Sequence, residues 1–479
     1  MRTILIYLSH GAHVRNFINM GFAQHLAQSF KIVFATWPED VAPLQAYVGD
    51  LGLVEALPCR PRRFEGQLAA VRRYVMVNPR RNRTVNLFSL SMKHDNPGLY
   101  RVLRAANLTI GRWKVVRSAW TAIERMLLPL ADALFLIDRH RPAAVIAANY
   151  GADPDVMRLF TAATRRGVPT VAIVPSWDNL SSKGVMGAKA GLLVVWNAVM
   201  RREADAFHDF PVDRVKVAGP MQFDSYGPGH PRHDRASLSR TLGLDPGRPY
   251  LVYGTITPKF FPHNLEIVRH LAELSERGAL TGQPQVVVRI HPQVVDDPVF
   301  GERLEAYEAL AADFPGTVRL NVPKVMKWGR LRPAPEEDQI LLADMLYHAA
   351  ACLVPGSTLA LDAIAAGCPA VGIAYDGDAP DTPYHQSIRR WYDYEYFKPL
   401  LDLDGLPLAG SREELRETVD ALLRDRDINL LARDRVVAEL VGKLDGAASR
   451  RGAEAVLDLV ARSSNFENRP VAQSVFVGA

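Results

Sequence analysis

Cysteine is scarce in this chain. Cys59, Cys352 and Cys368 stand far apart without the CxxC or Cys/His spacing of a metal site, which excludes a disulfide-built scaffold and a structural zinc fold and points to a reducing compartment. Long apolar runs are missing as well: the longest candidate, Leu127 to Ile137, is broken by Asp132 and falls short of the roughly 18 to 20 residues that span a bilayer. The apolar start, Ile4 to Leu8, is too short for a signal peptide and reads as a buried first strand. A cytoplasmic protein is expected. No HExxH, Walker A or GxSxG motif occurs, and D-x-D pairs (Asp153/Asp155, Asp376/Asp378, Asp402/Asp404, Asp425/Asp427) recur too often for any to mark a cation site. Neither a metal nor a cofactor is expected. Glycine and proline, 33 each among 479 residues, exclude collagen-like and linker proteins. What is present, 48% hydrophobic and 23% charged residues, describes a globular chain of two or three domains.

Charge is unevenly placed. The net value is only +5, yet the stretch from Arg60 to Arg117 holds fourteen Lys/Arg against Glu65 and Asp95, a local +12 that leaves −7 for the remainder. Phe64, Tyr74, Leu87, Phe88, Tyr100, Leu103, Trp113 and Val115 are interleaved with those cations. That mixture suits an anionic membrane surface or a polyanionic acceptor, and otherwise makes a solvated basic face. No helix-turn-helix, RRM or KH pattern accompanies it, so nucleic acid is not the expected partner.

The front half alternates β-branched runs with helical stretches, the pattern of a doubly wound parallel sheet. Strands are expected at Thr3 to Leu8, Lys31 to Thr36, Ala143 to Ala148, Thr170 to Val174, Leu192 to Trp196 and Val215 to Ala218, with helices at Val14 to Ser29 and Pro154 to Arg166. Three prolines and three glycines between Gly219 and Asp234 mark a junction. A second alternating series follows, with strands at Tyr250 to Tyr253, Gln285 to Ile290, Val318 to Asn321, Ala351 to Val354 and Ala370 to Ile373, and helices at Leu265 to Arg277, Gln339 to Ala350 and Ser411 to Arg424. The expected division is 1–220, an acceptor-side Rossmann-like domain with the basic insertion 60–117; 221–462, a nucleotide-donor domain; and a mobile tail, 463–479. Ligands of such sheets bind beyond the carboxyl ends of the strands, so the informative loops follow strands.

Four of those loops, and the first of all, carry chemistry. In Val354-Pro-Gly-Ser-Thr-Leu-Ala-Leu-Asp362 a strand leads through Gly356, Ser357 and Thr358 into a helix whose amides can hold a phosphate, while Asp362, one turn on, can accept from ribose hydroxyls. Arg289-Ile-His-Pro292 puts Arg289 and His291 on one face at a strand end, where they can contact a diphosphate or serve structure alone. Tyr253-Gly-Thr-Ile-Thr-Pro-Lys259 offers Gly254 for close approach, with Thr255 and Lys259 as donors. Trp177-Asp-Asn-Leu-Ser-Ser-Lys183 packs an aromatic, a carboxylate, an amide and a cation into one turn. There Asp178 can take a proton from an acceptor hydroxyl, and Asn179 and Lys183 can orient the acceptor; the plainer reading is an Asx-type turn anchored by Trp177. Ser9-His-Gly-Ala-His-Val-Arg-Asn16 joins the first strand to its helix, and there His13, beside His10, is a second candidate base or a substrate donor.

Together these loops resemble the GT-B glycosyltransferase superfamily, especially the bacterial surface-polysaccharide transferases related to CDP-glycerol glycerophosphotransferases. Val217 to Asp224 is similar to the segment that ends such front domains, and Arg289 to Pro292 with Gly356 to Pro369 resemble donor-nucleotide motifs. Trp177-Asp178 through Lys183-Gly184 is similar to the Trp-His-Gly...Lys stretch of the glycerophosphotransferases, with Asp178 where their histidine stands. The resemblance implies two Rossmann-like domains facing a cleft and an inverting, metal-independent transfer of a sugar from a nucleotide diphosphate to a lipid-linked or polysaccharide acceptor. In that reading Asp178 is the base, His13 its alternative, and the enzyme sits at the inner face of the membrane. A polyol-phosphate transferase, a UDP-GlcNAc 2-epimerase-like isomerase and a non-catalytic nucleotide-binding protein are the alternatives.

Overall fold

A computed structural model describes residues 1–57, 63–149, 151–296 and 304–467. Cys59, Arg60, Arg62 and most of the expected tail lie outside those residues. Two parallel sheets organise the chain. The first comprises β1 (Thr3–Tyr7), β2 (Lys31–Thr36), β3 (Leu53–Ala56), β4 (Ala144–Ala147), β5 (Thr170–Ile173), β6 (Leu192–Val195) and β7 (Val215–Val217), in the order β3-β2-β1-β4-β5-β6-β7. The second comprises β8 (Tyr250–Gly254), β9 (Gln285–Arg289), β10 (Val318–Asn321), β11 (Ala351–Val354), β12 (Ala370–Ile373) and β13 (Leu408–Ala409), ordered β10-β9-β8-β11-β12-β13. Every pairing is parallel, and the central strands are buried along their whole length because helices cover both faces. That is why they read as unbroken Val/Ile/Leu runs rather than alternating ones.

Two expected elements differ. The helix expected over Val14 to Ser29 is interrupted: a π-turn spans Arg15–Asn19, Gly21 sits at φ +79°, and a new helix starts at Phe22. A positive φ suits glycine and ends the regular ladder there. The last helix, Ala448–Glu467, runs past the expected tail boundary and returns to the first sheet, where Ala453, Val456 and Val460 join the cluster of Ile4, Ile6 and Phe22. The rear half as expected, 221–462, therefore lends its final helix to the front.

The halves also touch at the front loop. Asp40, fully buried, accepts hydrogen bonds from the amides of Gly329, Arg330 and Leu331 at 2.7 to 3.1 Å. Gly11 lies against the backbone of Arg332, where an added Cβ would sit 2.3 Å from the carbonyl oxygen. The loop after β1 is thus covered by a segment of the rear half.

Candidate active site in the cleft

Strand order reverses once in each sheet, between β1 and β4 and between β8 and β11. Such switch points open a crevice beyond the strand ends, and the loops that follow β1, β8 and β11 flank them. The loops after β5 and β9 stand one strand further along.

From the front, the loop after β1 supplies His10, His13 and Arg15. His10 caps its helix, its Nδ1 accepting from the Ala12 amide at 3.2 Å. Partial removal from solvent lowers its pKa, and the charges of Arg15 and then Lys183 lower it further. His13 is buried and its Nδ1 accepts from the Ser9 amide at 3.2 Å. Burial first, then His10 and Arg15, pull the His13 pKa down to about 3. An imidazole whose Nδ1 is so engaged carries its proton on Nε2. This geometry leaves a neutral His13 ring with Nε2 as its donor, the second of the two roles open to it.

Arg15 crosses toward the rear half. Its charge acts on Asp362, which accepts from Tyr226 Oη at 3.0 Å. Burial raises the Asp362 pKa to about 6, offset by Arg15 and then by the tyrosine. Arg15, Tyr226 and Asp362 thus join front loop, junction and rear helix. Neither Arg15 nor Tyr226 was singled out by the sequence, although Arg15 belongs to the Ser9–Asn16 loop. Tyr226 is hidden in the Pro/Gly-rich junction.

The rear loops are more structural than expected. Gly254 is required because Leu359 packs on it, its Cδ2 standing 2.2 Å from where a Cβ would be. Thr255 is buried and its hydroxyl accepts from the His291 amide at 2.8 Å, tying one loop to the next. Arg289 is likewise buried, donating to Asn321 Oδ1 at 2.6 Å and to both carboxylate oxygens of Asp338. A guanidinium so spent has the structural role that its motif also allowed, and its charge is felt at His291. His291 is half-buried, and burial followed by Arg289 pulls its pKa down to about 4, so its ring is neutral. Gly356 adopts φ +58° and donates its amide to Tyr392 Oη at 3.1 Å. Ser357 Oγ accepts from Leu359 N at 3.2 Å, capping the seven-residue helix Leu359–Ala365, and Thr358 is exposed.

Asp178 sits in the loop after β5. Its Oδ1 accepts from Ser176 Oγ at 2.5 Å and Asn179 Nδ2 at 3.2 Å, and its Oδ2 from Ser182 Oγ at 2.9 Å. Trp177 is buried between Tyr396 and Phe397, with ring centroids 5.2 and 5.0 Å away. Phe397 in turn lies 5.3 Å from Tyr392, the residue that holds Gly356. Phe397 and Tyr392 thus pack as two aromatic layers between the Trp177–Asp178 turn and the Gly356–Thr358 turn. Glu203, on the helix Ala198–His208, belongs to the same neighbourhood: it is buried, its Oε2 has no hydrogen-bond partner among the described residues, and its charge is felt with those of Glu395 and Asp178. No group of three or more His, Cys, Asp or Glu among the described residues is arranged to hold a metal ion.

No protein-family model and no curated protein matches this chain. Solved structures do. A glycosyltransferase from Rickettsia africae superposes with a TM-score of 0.51 at 10% identity, over 98% of this chain and 99% of that one. UDP-GlcNAc 2-epimerase from Neisseria meningitidis bound to UDP-GlcNAc gives 0.54 at 9%, over 96% and 100%. The MnaA–UDP co-structure from S. aureus also gives 0.54 at 9%, over 98% and 99%. The fold is GT-B-like. Two parallel sheets in an α/β arrangement are the fold class anticipated from the sequence, with β3 and β13 added to it.

Proposed function

We propose that this chain is a nucleotide-sugar enzyme that transfers a sugar from a nucleoside diphosphate donor to an acceptor held on the front half. The observation that carries the transfer reading is a cavity on the front half whose lining includes none of the loops after β1, β8 and β11. Beside the Asp178 loop lies a cavity of about 420 Å³, walled by the insertion helix Arg63–Tyr74, the loop after β4, Asn179 and Lys183. A transferase needs room for two ligands; an isomerase of the sugar needs one.

The donor nucleotide would lie between the loop after β1 and the rear helix, with its ribose hydroxyls on Asp362, its diphosphate near Arg15 and Thr358, and His13 donating from Nε2. Negative charge developing on the departing diphosphate is stabilised by Arg15, with Arg289 acting from behind. Asp178 accepts the proton of the attacking hydroxyl. Arg15→Gln removes the one cation of the front loop that reaches Asp362, and UDP affinity should fall roughly 10- to 100-fold, as expected for a charge-assisted bond to phosphate. Calorimetric titration checks this, and an unchanged Kd would remove Arg15 from the site.

A UDP-GlcNAc 2-epimerase reading is favoured by the solved structures, two of the three cited being a 2-epimerase with its sugar nucleotide and a UDP complex. Product analysis separates the two. Incubated with UDP-GlcNAc, an epimerase yields the 2-epimer with no second substrate, whereas a transferase releases UDP only when an acceptor is supplied.

The acceptor side also bears on location. No helix among the described residues is long and apolar enough to cross a membrane. The end of the insertion and the helix Lys114–Leu127 that continues from it instead present Trp113, Val115, Ile123, Met126 and Leu127 to solvent, with Arg112 stacked on Trp113 at 5.0 Å. The acid of that helix, Glu124, is buried against Arg72. An apolar face rimmed by cations fits an anionic lipid surface, consistent with a lipid-linked acceptor. Val115→Asp combined with Met126→Asp should weaken binding to anionic vesicles about 30-fold and leave UDP binding intact, since each burying residue adds of order 1 kcal/mol. Unchanged co-sedimentation would contradict this.

A further inference from the structure

Around the 420 Å³ cavity, most cations are neutralised. Arg72 is buried and spends its guanidinium on Glu124 at 2.9 Å and on the carbonyls of Val185 and Ala152. Arg158 is paired with Glu65 and Asp155, and Arg117 with Asp209 at 2.6 Å. Arg73 and Lys183, which both line the cavity, differ: neither forms an ion pair with a described residue. Among the described residues Arg73 makes one long bond, from Nη2 to the Ser182 carbonyl at 3.4 Å, and its buried Nε has no partner. The rings of Tyr74 and Phe88, at 5.5 and 5.8 Å from its guanidinium carbon, hold it in place. Gly184, at φ +88°, leaves no room for a Cβ above the Arg73 backbone, which fixes the Lys183 loop against the helix that carries Arg73.

Two cations brought to one cavity repel each other, and no ion pair among the described residues offsets either of them. The single acid in the lining is Asp153, whose carboxylate caps the helix Pro154–Arg165 by accepting from the Asp155 amide at 2.8 Å. Burial raises its pKa, so the cavity favours its neutral form more than solvent would. Asn149 and Asn179 add amide donors. Such a set, with a planar guanidinium, an ammonium and two amides, matches a tetrahedral oxyanion of high charge.

The geometry points to a phosphoryl-binding subsite at Arg73 and Lys183, which takes the phosphate of the acceptor. It deepens the transfer reading above and names the acceptor class: a phosphate ester whose remaining body fills the rest of the cavity. Soluble sugar phosphates and phospholipid headgroups share that chemistry.

Calorimetric titration of the full chain with inorganic phosphate, with the cleft saturated by UDP, tests it. Phosphate Kd should rise at least about tenfold in Lys183→Gln and in Arg73→Gln, the loss expected for one charge-assisted contact, while UDP Kd stays within about twofold. Lys183 is exposed, so its variant folds whatever happens to Arg73. Phosphate affinity unchanged in both variants, or no phosphate binding to the native chain at millimolar concentration, overturns the subsite. Competition by glucose 1-phosphate assigns a soluble source and competition by phosphatidic acid vesicles a lipid one; competition by neither also overturns it. Should UDP fail to bind while the variants still lose phosphate, the donor reading falls and the subsite stands.

Discussion

Asp178→Asn should fold normally and lose turnover by a factor of roughly 10² to 10⁴, the range removed with a positioned general base. A carboxylate offers about four lone-pair positions, and Ser176, Asn179 and Ser182 fill three of them. One remains for an acceptor hydroxyl. Asparagine keeps the shape and the turn but replaces one acceptor oxygen with a donor and cannot take a proton. Steady-state assays with far-ultraviolet dichroism as the folding control read both halves of the prediction. Near-normal turnover would take Asp178 out of the mechanism and leave it as the cap of its turn.

Glu203→Gln should stabilise the protein, and by an amount that grows with pH. Burial comes first among the causes that raise the Glu203 pKa to about 8 from 4.5; the charges of Glu395 and Asp178 add to it, and Arg202 opposes them. Lys398, 3.0 Å from Glu395, draws that neighbour's charge away. Below pH 4.5 the side chain is protonated whether the chain is folded or not, and it costs nothing. Between 4.5 and 8 the unfolded chain gives up the proton and the folded one keeps it, so native stability falls as pH rises through this window. Above 8 the penalty is complete, on the order of 3 to 5 kcal/mol from the width of the shift. Glutamine has no such penalty. Urea midpoints of both proteins at pH 5 and pH 9 check the sign: the advantage of the variant should be small at the first and large at the second. An advantage independent of pH would show that Glu203 ionises as freely in the fold as outside it.

The parallel sheets were legible because their strands are buried on both faces and so read as short Val/Ile/Leu runs between loops. Val286 to Val288 and Leu192 to Val195 are examples. β3 and β13 were not, for the first exposes Leu53 and Ala56 and the second has two residues. Asp362 lies one helical turn beyond Thr358, a spacing legible because it is local. The Arg289 partner Asp338 was not legible, since it lies 49 residues away and no local pattern announces the pair. Glu203 escaped for the same reason: in Ala198-Val-Met-Arg-Arg-Glu-Ala-Asp-Ala-Phe-His208 it reads as one charge on a solvated face. Only packing by a distant segment, around Glu395, buries it. The fourteen cations of the insertion looked uniform in sequence, yet the fold divides them into paired structural groups such as Arg72 and Arg117, and unpaired ones such as Arg73.

A crystal structure of the chain with UDP measures the central claim directly. The account predicts the diphosphate between Arg15 and Thr358, with the ribose on Asp362 and the Asp178 loop facing it across the cleft. A nucleotide bound outside that cleft, with Arg15 still turned to Asp362 alone, would contradict it.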